Sequence, residues 1–320
     1  FFQPCVDPFE VATSAWLGAA YAEYAFEPSP RWRLTPGLRL TYAPLLDQVY
    51  AEPRMSLRYD GQLGQRDIAF RLAGGRYLQF LNQYDLTGYA TSTVVPYSLF
   101  WLPLDGSVAP PEAWHMAADM LWLSGAGLQI QLEAYARWMP RTLMLDYATL
   151  QDLEAGDAPV LQDQILADDD GHALGASIEV AQTWERLEGS VSFEGQINRT
   201  RFPGRFEDRR IAPPSHIPHQ IQASAAWRAG RGIALEAMWQ QHMGQGWAFR
   251  RAYYDVFDIW SPTSPLSTPD FSSPESDRLP DYRRLDLGAT WRWQTGPGTV
   301  EWRVFAINVL DRRNVYDYSV

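Results

Sequence analysis

Lysine is absent from this chain: all 27 basic residues are arginine, set against 38 acidic ones, for a formal net charge of −11. An acidic chain lacks the basic surface that phosphate contact requires, which excludes nucleic acid as a partner. Guanidinium groups stay charged and make forked contacts to carboxylates, although genome base composition is the plainer cause of an all-arginine chain. Cysteine is nearly absent too. The one thiol, Cys5, excludes an internal disulfide and leaves the compartment unread. No run of about 18 apolar residues occurs, which excludes membrane-spanning helices. The signatures G-x-S-x-G, P-loop and G-x-G-x-x-G are missing, so neither an enzyme nor a cofactor is expected. Phe1 is not preceded by a methionine or an export signal, and Val320 follows no stopping element. The expectation is a piece cut at both ends, with any signal upstream.

What is present is aromatic and alternating. Aromatics make up 14% of the chain, with 14 Trp and 16 Tyr, yet mean hydropathy is only −0.31. Such a composition suits a Trp-rich soluble β protein, for example a carbohydrate-active domain, or a membrane barrel with aromatic girdles. The period of the pattern separates them. From Leu128, the residues Leu128, Ile130, Leu132, Ala134, Ala136 and Trp138 alternate with Gln129, Gln131, Glu133, Tyr135 and Arg137. The same period-two pattern runs through 31–42 and 284–293. Weaker copies lie near 14–27, 53–60, 66–74, 114–124, 172–185, 188–199, 217–228, 233–246 and 299–309. That makes about twelve strands with one greasy and one polar face. Many are about ten residues long, the length a tilted membrane strand needs.

Connections alternate in length. Short turns are expected at 27–31, 60–66, 124–127, 185–188, 229–232 and 295–298. Long loops are expected at 43–52, 75–113, 140–171, 200–215, 247–281 and after 310. Outer-membrane barrels sort their connections in this way, and a sandwich or propeller has no reason to. Trp32, Trp122, Trp184, Trp227, Trp293 and Trp302 lie near short turns on the apolar parity, while Trp114 and Trp138 lie at long-loop ends. Together they are the expected membrane girdle. The polar face carries Arg33, Arg58, Arg71, Asp119, Glu133, Glu194, Arg284, Asp286, Glu301 and others, which a wet or plugged lumen would satisfy.

Candidate site residues are few. His216 and His219 would point to opposite faces of a strand, and no calcium-loop spacing appears in the acidic stretch 140–171, so no metal site is assigned. Two loops are aromatic. The first holds Tyr77, Phe80, Tyr84, Tyr89, Tyr97, Phe100 and Trp101. The second places Trp247, Phe249, Tyr253, Tyr254 and Trp260 beside Arg250 and Arg251. Rings next to guanidinium groups suit a planar or anionic organic ligand such as a ferric siderophore, and also a sugar or cobalamin. Those seven residues are the candidate ligand contacts.

At this point the residues resemble a known family. WRLTPGLRLTY at 32–42, PRMSLRY at 53–59, LAGGRYLQF at 72–80, GHALGASIE at 171–179, PDYRRLDLGA at 280–289 and INVLDRRNVYDY at 307–318 are similar, in order, to barrel strands of TonB-dependent outer-membrane receptors. Each segment alone is weakly specific, but the series spans nearly the whole chain. The resemblance implies a transmembrane antiparallel up-and-down β-barrel of about 22 strands in all. Residues 1–320 would supply a partial barrel domain, and the plug and its TonB-contacting segment would lie elsewhere. It further implies residence in the bacterial outer membrane among lipid and lipopolysaccharide. Function would be TonB-energised import of a scarce small-molecule substrate bound at the outer loops. A porin-like diffusion channel is the alternative.

Overall fold

The computed structural model describes residues 15–85, 99–145, 162–201, 209–213, 216–244, 246–247 and 277–315. Twelve strands follow one another in an antiparallel sheet: β1 (Gly18–Glu23), β3 (Trp32–Ala43), β4 (Gln48–Leu63), β5 (Arg66–Leu78), β8 (Glu112–Leu123), β9 (Leu128–Leu145), β10 (Leu166–Thr183), β11 (Leu187–Arg201), β13 (His219–Gly230), β14 (Ile233–His242), β17 (Tyr282–Thr295) and β18 (Gly298–Ala306). Two short strands, β2 (Phe26–Ser29) and β12 (Arg210–Ile211), join its margins. Hairpins β6 (Leu81–Asp85) with β7 (Leu99–Pro103), and β15 (Gly246–Trp247) with β16 (Asp277–Arg278), stand apart in the connections. Among the described residues β1 and β18 are not paired with each other, so the sheet is an open section of barrel wall.

Strict alternation along each strand becomes continuous rows across the sheet. One row reads Ile68, Trp122, Ile130, Val180, Val191, Ala223, Trp239 and Leu285 on eight successive strands. On the opposite face a row reads Arg33, Arg58, Arg71, Asp119, Glu133, Ser177, Glu194, Gln220, His242 and Tyr282. A register slip of one residue would exchange these faces, so the pattern itself fixes the register.

No second layer covers the apolar rows among the described residues. Leu174, Val191, Phe193, Trp227, Trp291 and Val304 are all exposed. The apolar residues that are buried (Ala43, Leu104, Ala173, Ala212 and Leu279) all sit at or near the long-loop end. A soluble sandwich would close a second sheet over its apolar face. This sheet instead leaves a contiguous greasy exterior and a charged interior, the arrangement of a membrane barrel.

Short and long connections alternate as the sequence predicts, with one correction. The stretch 43–52 is not a long loop. Pro44–Leu46 forms a single 3-10 turn closed by Asp47 at φ 47°, and β4 begins at Gln48. The strand continues because Val49, Ala51 and Pro53 lie opposite Tyr42, Leu40 and Leu38. The connections after β5 and β9 also begin later than expected, since β5 runs to Leu78 and β9 and β10 each run 18 residues.

Two prolines mark where the ladder lapses. The register of β1 on β3 carries into β2 at Phe26 and shifts before Ser29; the ladder lapses at Tyr24 and Ala25, opposite Pro36 and Thr35, although the Tyr24 N–H still donates to the Pro36 carbonyl at 3.1 Å. Pro36 has no N–H to donate. Likewise the β4–β5 ladder stops at Arg54 with Gly75, just before Pro53, while β4 stays paired with β3. Side chains take over there: Arg76 donates to the Ala51 carbonyl at 3.1 Å, and the Leu78 N–H donates to Glu52 at 3.2 Å.

Candidate functional site

The inner face near the long loops carries a belt of aromatic and hydrogen-bonding side chains, each held by its place in the sheet. Arg54 of β4 lies over the Tyr77 ring of β5 at 5.9 Å. Tyr77 meets His115 of β8 edge-on at 6.3 Å, and His115 meets Tyr135 of β9 edge-on at 6.0 Å. The Tyr135 hydroxyl donates to Gln196 at 2.9 Å, and Gln196 donates in turn to the Ile217 carbonyl at 2.9 Å. Gln220 donates to Glu194 at 2.6 Å. His242 stacks on Tyr282 at 4.6 Å with the planes 7° apart, and Arg284 reaches the Tyr282 hydroxyl at 3.3 Å and Asp286 at 2.8 Å.

The belt depends on a glycine. Gly175 lies opposite Tyr135, and a Cβ there would come within 2.3 Å of the ring. Absence of that atom lets Tyr135 lie across the strand toward Gln196. Aromatic cover of a strand glycine also restores packing that glycine itself lacks.

Above the belt, the β3–β4 corner buries charge. Glu52 is 5% exposed and accepts from the Thr41 hydroxyl at 3.0 Å, with Arg39 at 3.6 Å. A carboxylate can be buried when hydrogen bonds and a cation offset its desolvation. Lower in the lumen, Arg71 and Asp119 pair at 2.6 Å across β5 and β8 but remain accessible. Such a pair contributes about 0–1 kcal/mol, so it sets lumen charge pattern more than stability. Arg292 and Arg303 both bind Glu301 on the last two strands.

Two connections are tied together above the lumen. The Asp105 carboxylate accepts from the Ser107 hydroxyl at 2.6 Å, the Ser107 N–H at 2.8 Å and the Gln162 N–H at 2.9 Å. Burial alone would raise its pKa, but the Ser107 and Gln162 donors outweigh it and hold the group below the usual carboxylate value. Gln162 also donates to the Pro103 carbonyl at 2.7 Å. In the connection leading into β13, His216 is buried with Nδ1 unpartnered. Its pKa is lowered, first by burial and then by the charges of Arg199 and Arg278.

Of the seven expected ligand contacts, Trp247 lies in β15 with its backbone opposite Asp277. Phe249, Arg250, Arg251, Tyr253, Tyr254 and Trp260 lie outside the described residues. From the first aromatic loop, Tyr77 joins the belt and Phe80 packs edge-on against Tyr50 at 5.3 Å. His216 and His219 are not brought to one point: the first is buried in the connection and the second opens β13 beside Gly195. Within the acidic stretch Asp170 is held by Arg210 at 2.8 Å and Arg201 at 3.5 Å. No metal-holding cluster occurs among the described residues. The belt members Arg54, Tyr135, Gln196 and Tyr282 were not singled out as a site from sequence. Their signal is the polar parity shared by neighbouring strands, which only the register converts into a cluster.

The eight expected girdle residues are distributed as follows. Trp32, Trp184, Trp227 and Trp302 are exposed near short turns, and Trp114 and Trp138 face each other across β8 and β9 toward the long loops. Trp122 and Trp293 are half-buried, Trp122 under Arg66 at 4.8 Å and Trp293 beside Trp291 at 4.9 Å.

A single sheet with a greasy exterior, a polar lumen and sorted connections defines a section of outer-membrane-type β-barrel. Among solved structures it matches receptor barrels. A mutant of the ferric enterobactin receptor PfeA of Pseudomonas aeruginosa is 14% identical with a TM-score of 0.60, over 94% of this chain and 40% of that one. The siderophore receptor PirA of Acinetobacter baumannii is 8% identical with a TM-score of 0.61, over 92% and 42%. The copper transporter OprC is 13% identical with a TM-score of 0.59, over 93% and 42%. At these identities the likeness establishes the fold: it is that of the barrel wall of TonB-dependent outer-membrane receptors, as the strand motifs imply. The chain spans about two fifths of the structures it matches. No family profile matches the sequence, and no curated protein matches it.

Proposed function

We propose that this chain is part of the wall of an outer-membrane receptor that binds a scarce organic ligand at its outer mouth and imports it with energy from the TonB system. The observation that carries this reading is the belt from Arg54 through Tyr77, His115 and Tyr135 to His242, Tyr282 and Arg284. It offers ring faces, fixed donors and guanidinium groups on one inner surface below the long loops. Rings and cations together suit a planar anionic chelate better than a simple solute. Trp247, Phe249, Arg250, Arg251, Tyr253, Tyr254 and Trp260 would extend that surface from the adjoining connection. The outer rows would be solvated by lipid, with the eight tryptophans at its two interfaces. Energy coupling would reach the barrel through a plug carried on another part of the protein. No bond is made or broken in this scheme.

The test uses the full-length protein in cells lacking other siderophore receptors. Uptake of radioactive iron supplied as ferric enterobactin, as a catecholate probe, and as a hydroxamate chelate is measured with and without a proton-motive-force uncoupler. Saturable, uncoupler-sensitive uptake of one chelate supports the reading, and replacing Tyr135 and Tyr282 with Ala should weaken it about tenfold, the loss of roughly two ring contacts. Uptake that rises linearly with concentration and ignores the uncoupler would favour a diffusion channel instead.

A further inference from the structure

The long-loop end of the wall holds a fastening that the proposed function does not use. A one-turn helix, α1 (Gln162–Ile165), leads directly into β10. The first amides of a helix have no partner within it. Here they are capped from a different connection: the Gln162 N–H donates to the Asp105 carboxylate at 2.9 Å, and the Asp163 N–H to the Ser107 hydroxyl at 3.0 Å. The Gln162 side chain adds two bonds, accepting from the Asp105 N–H at 3.4 Å and donating to the Pro103 carbonyl at 2.7 Å. These four bonds join the β7–β8 and β9–β10 connections, and Gln162 and Leu104 are buried at the junction.

A helix cap is ordinarily supplied by the residue just before the helix. This one comes from 57 residues away, so α1 is capped only while Asp105 and Ser107 are in place. The dependence is mutual, because Pro103 and Asp105 lose partners when Gln162 leaves. Gly106 seats the same loop on the β3–β4 corner. It adopts φ 94°, and a Cβ there would stand 2.7 Å from the Leu45 carbonyl oxygen.

The β6–β7 hairpin runs straight into this fastening, since Leu81 at its base pairs with Pro103. One face of the hairpin is open: Leu81 and Trp101 are 45% and 58% exposed. On the other face Asn82 is buried with Nδ2 unpartnered. A buried donor without an acceptor has lost its hydration for nothing, a penalty that lifting the hairpin into water would relieve. The closed position is therefore held by the four bonds and opposed by Asn82.

We infer that the fastening is a latch: the β6–β7 hairpin lifts and settles as one body, and α1 loses its cap and unwinds each time the hairpin lifts. The hairpin and the entry to β10 thus form a single two-state element. The latch does not depend on what the receptor transports.

The experiment is hydrogen exchange, read by mass spectrometry, of the full-length protein in micelles. Gln162→Ala removes two of the four bonds from the β9–β10 side. It should nevertheless speed exchange at Leu104 and Ser107 about tenfold, the loss of roughly two hydrogen bonds. Their amides bond Phe80 and Asp105, not Gln162. From the other side, Asp105→Ala should speed exchange at Asp163, whose amide bonds Ser107. Asn82→Leu removes the unpartnered donor and should slow exchange in both connections about fivefold. Heat-dependent gel mobility reports that each variant is folded. Exchange that quickens only in the substituted connection would overturn the latch, as would faster exchange in folded Asn82→Leu. Failure of chelate uptake with the coupled exchange intact would overturn only the transport reading.

Discussion

At the scale of single residues, the inner belt is set by which atoms are missing as much as by which are present. Gly175 makes room for Tyr135, whose hydroxyl then finds Gln196. Gly175→Val should push the ring aside and destabilise the full-length protein by about 1–3 kcal/mol, the usual penalty for overpacking. Denaturant unfolding in micelles checks this. Adding Tyr135→Ala should recover much of the loss, because the two residues act on one space and their effects will not add. His216 supplies a pH test. Its folded pKa lies below the ordinary 6.5 because burial and the Arg199 and Arg278 charges disfavour the cation. The neutral ring is the folded form, so its contribution is complete above that ordinary value and is lost as pH falls below it toward the folded pKa. The protection factor of the His216 amide, which donates to the Pro213 carbonyl at 2.9 Å, should therefore fall on acidification below the ordinary histidine value once the intrinsic pH dependence of exchange is divided out. His216→Asn should remove that dependence.

At the scale of the element, each strand carries one apolar and one polar face, which the proposed reading assigns to two solvents. Leu132 and Glu133 are neighbours on β9 and belong to opposite faces. Leu132→Arg should cost about 2–4 kcal/mol if that position lies near the bilayer midplane, whereas lumen substitutions should be tolerated. Glu133→Arg, by that argument, should change stability by less than about 0.5 kcal/mol. Folding yield into vesicles reads the difference. Strand patterns such as Leu128 to Trp138 were legible in the sequence because period-two alternation is the direct consequence of a two-faced strand. The corner at Pro44–Leu46 was not, because Pro44 and Pro53 read locally as breakers while the cross-strand partners Leu40 and Leu38 decide the outcome. The break in the ladder at Pro36 was hidden for the same reason: it belongs to the pair of strands, not to either alone.

At the scale of the molecule, sorted connections and a two-faced sheet were legible in the sequence, and the architecture agrees with them apart from the corner at 43–52. The belt was only partly readable. Tyr77, His115 and His242 stand out as aromatic or titratable residues on the polar side, but Arg54 reaches Tyr77, and Tyr282 reaches His242, only through strand register.

The account stands on lipid contacting one face of the sheet and water the other. Its most direct test places nitroxide labels one at a time at residues 128–138 of the full-length protein reconstituted in vesicles, and measures relaxation by oxygen and by a water-soluble nickel chelate. Oxygen should dominate at Leu128, Ile130, Leu132, Ala134, Ala136 and Trp138, and nickel at Gln129, Gln131, Glu133, Tyr135 and Arg137. Labels shielded from both reagents at the apolar positions, as under a second protein layer, would contradict it.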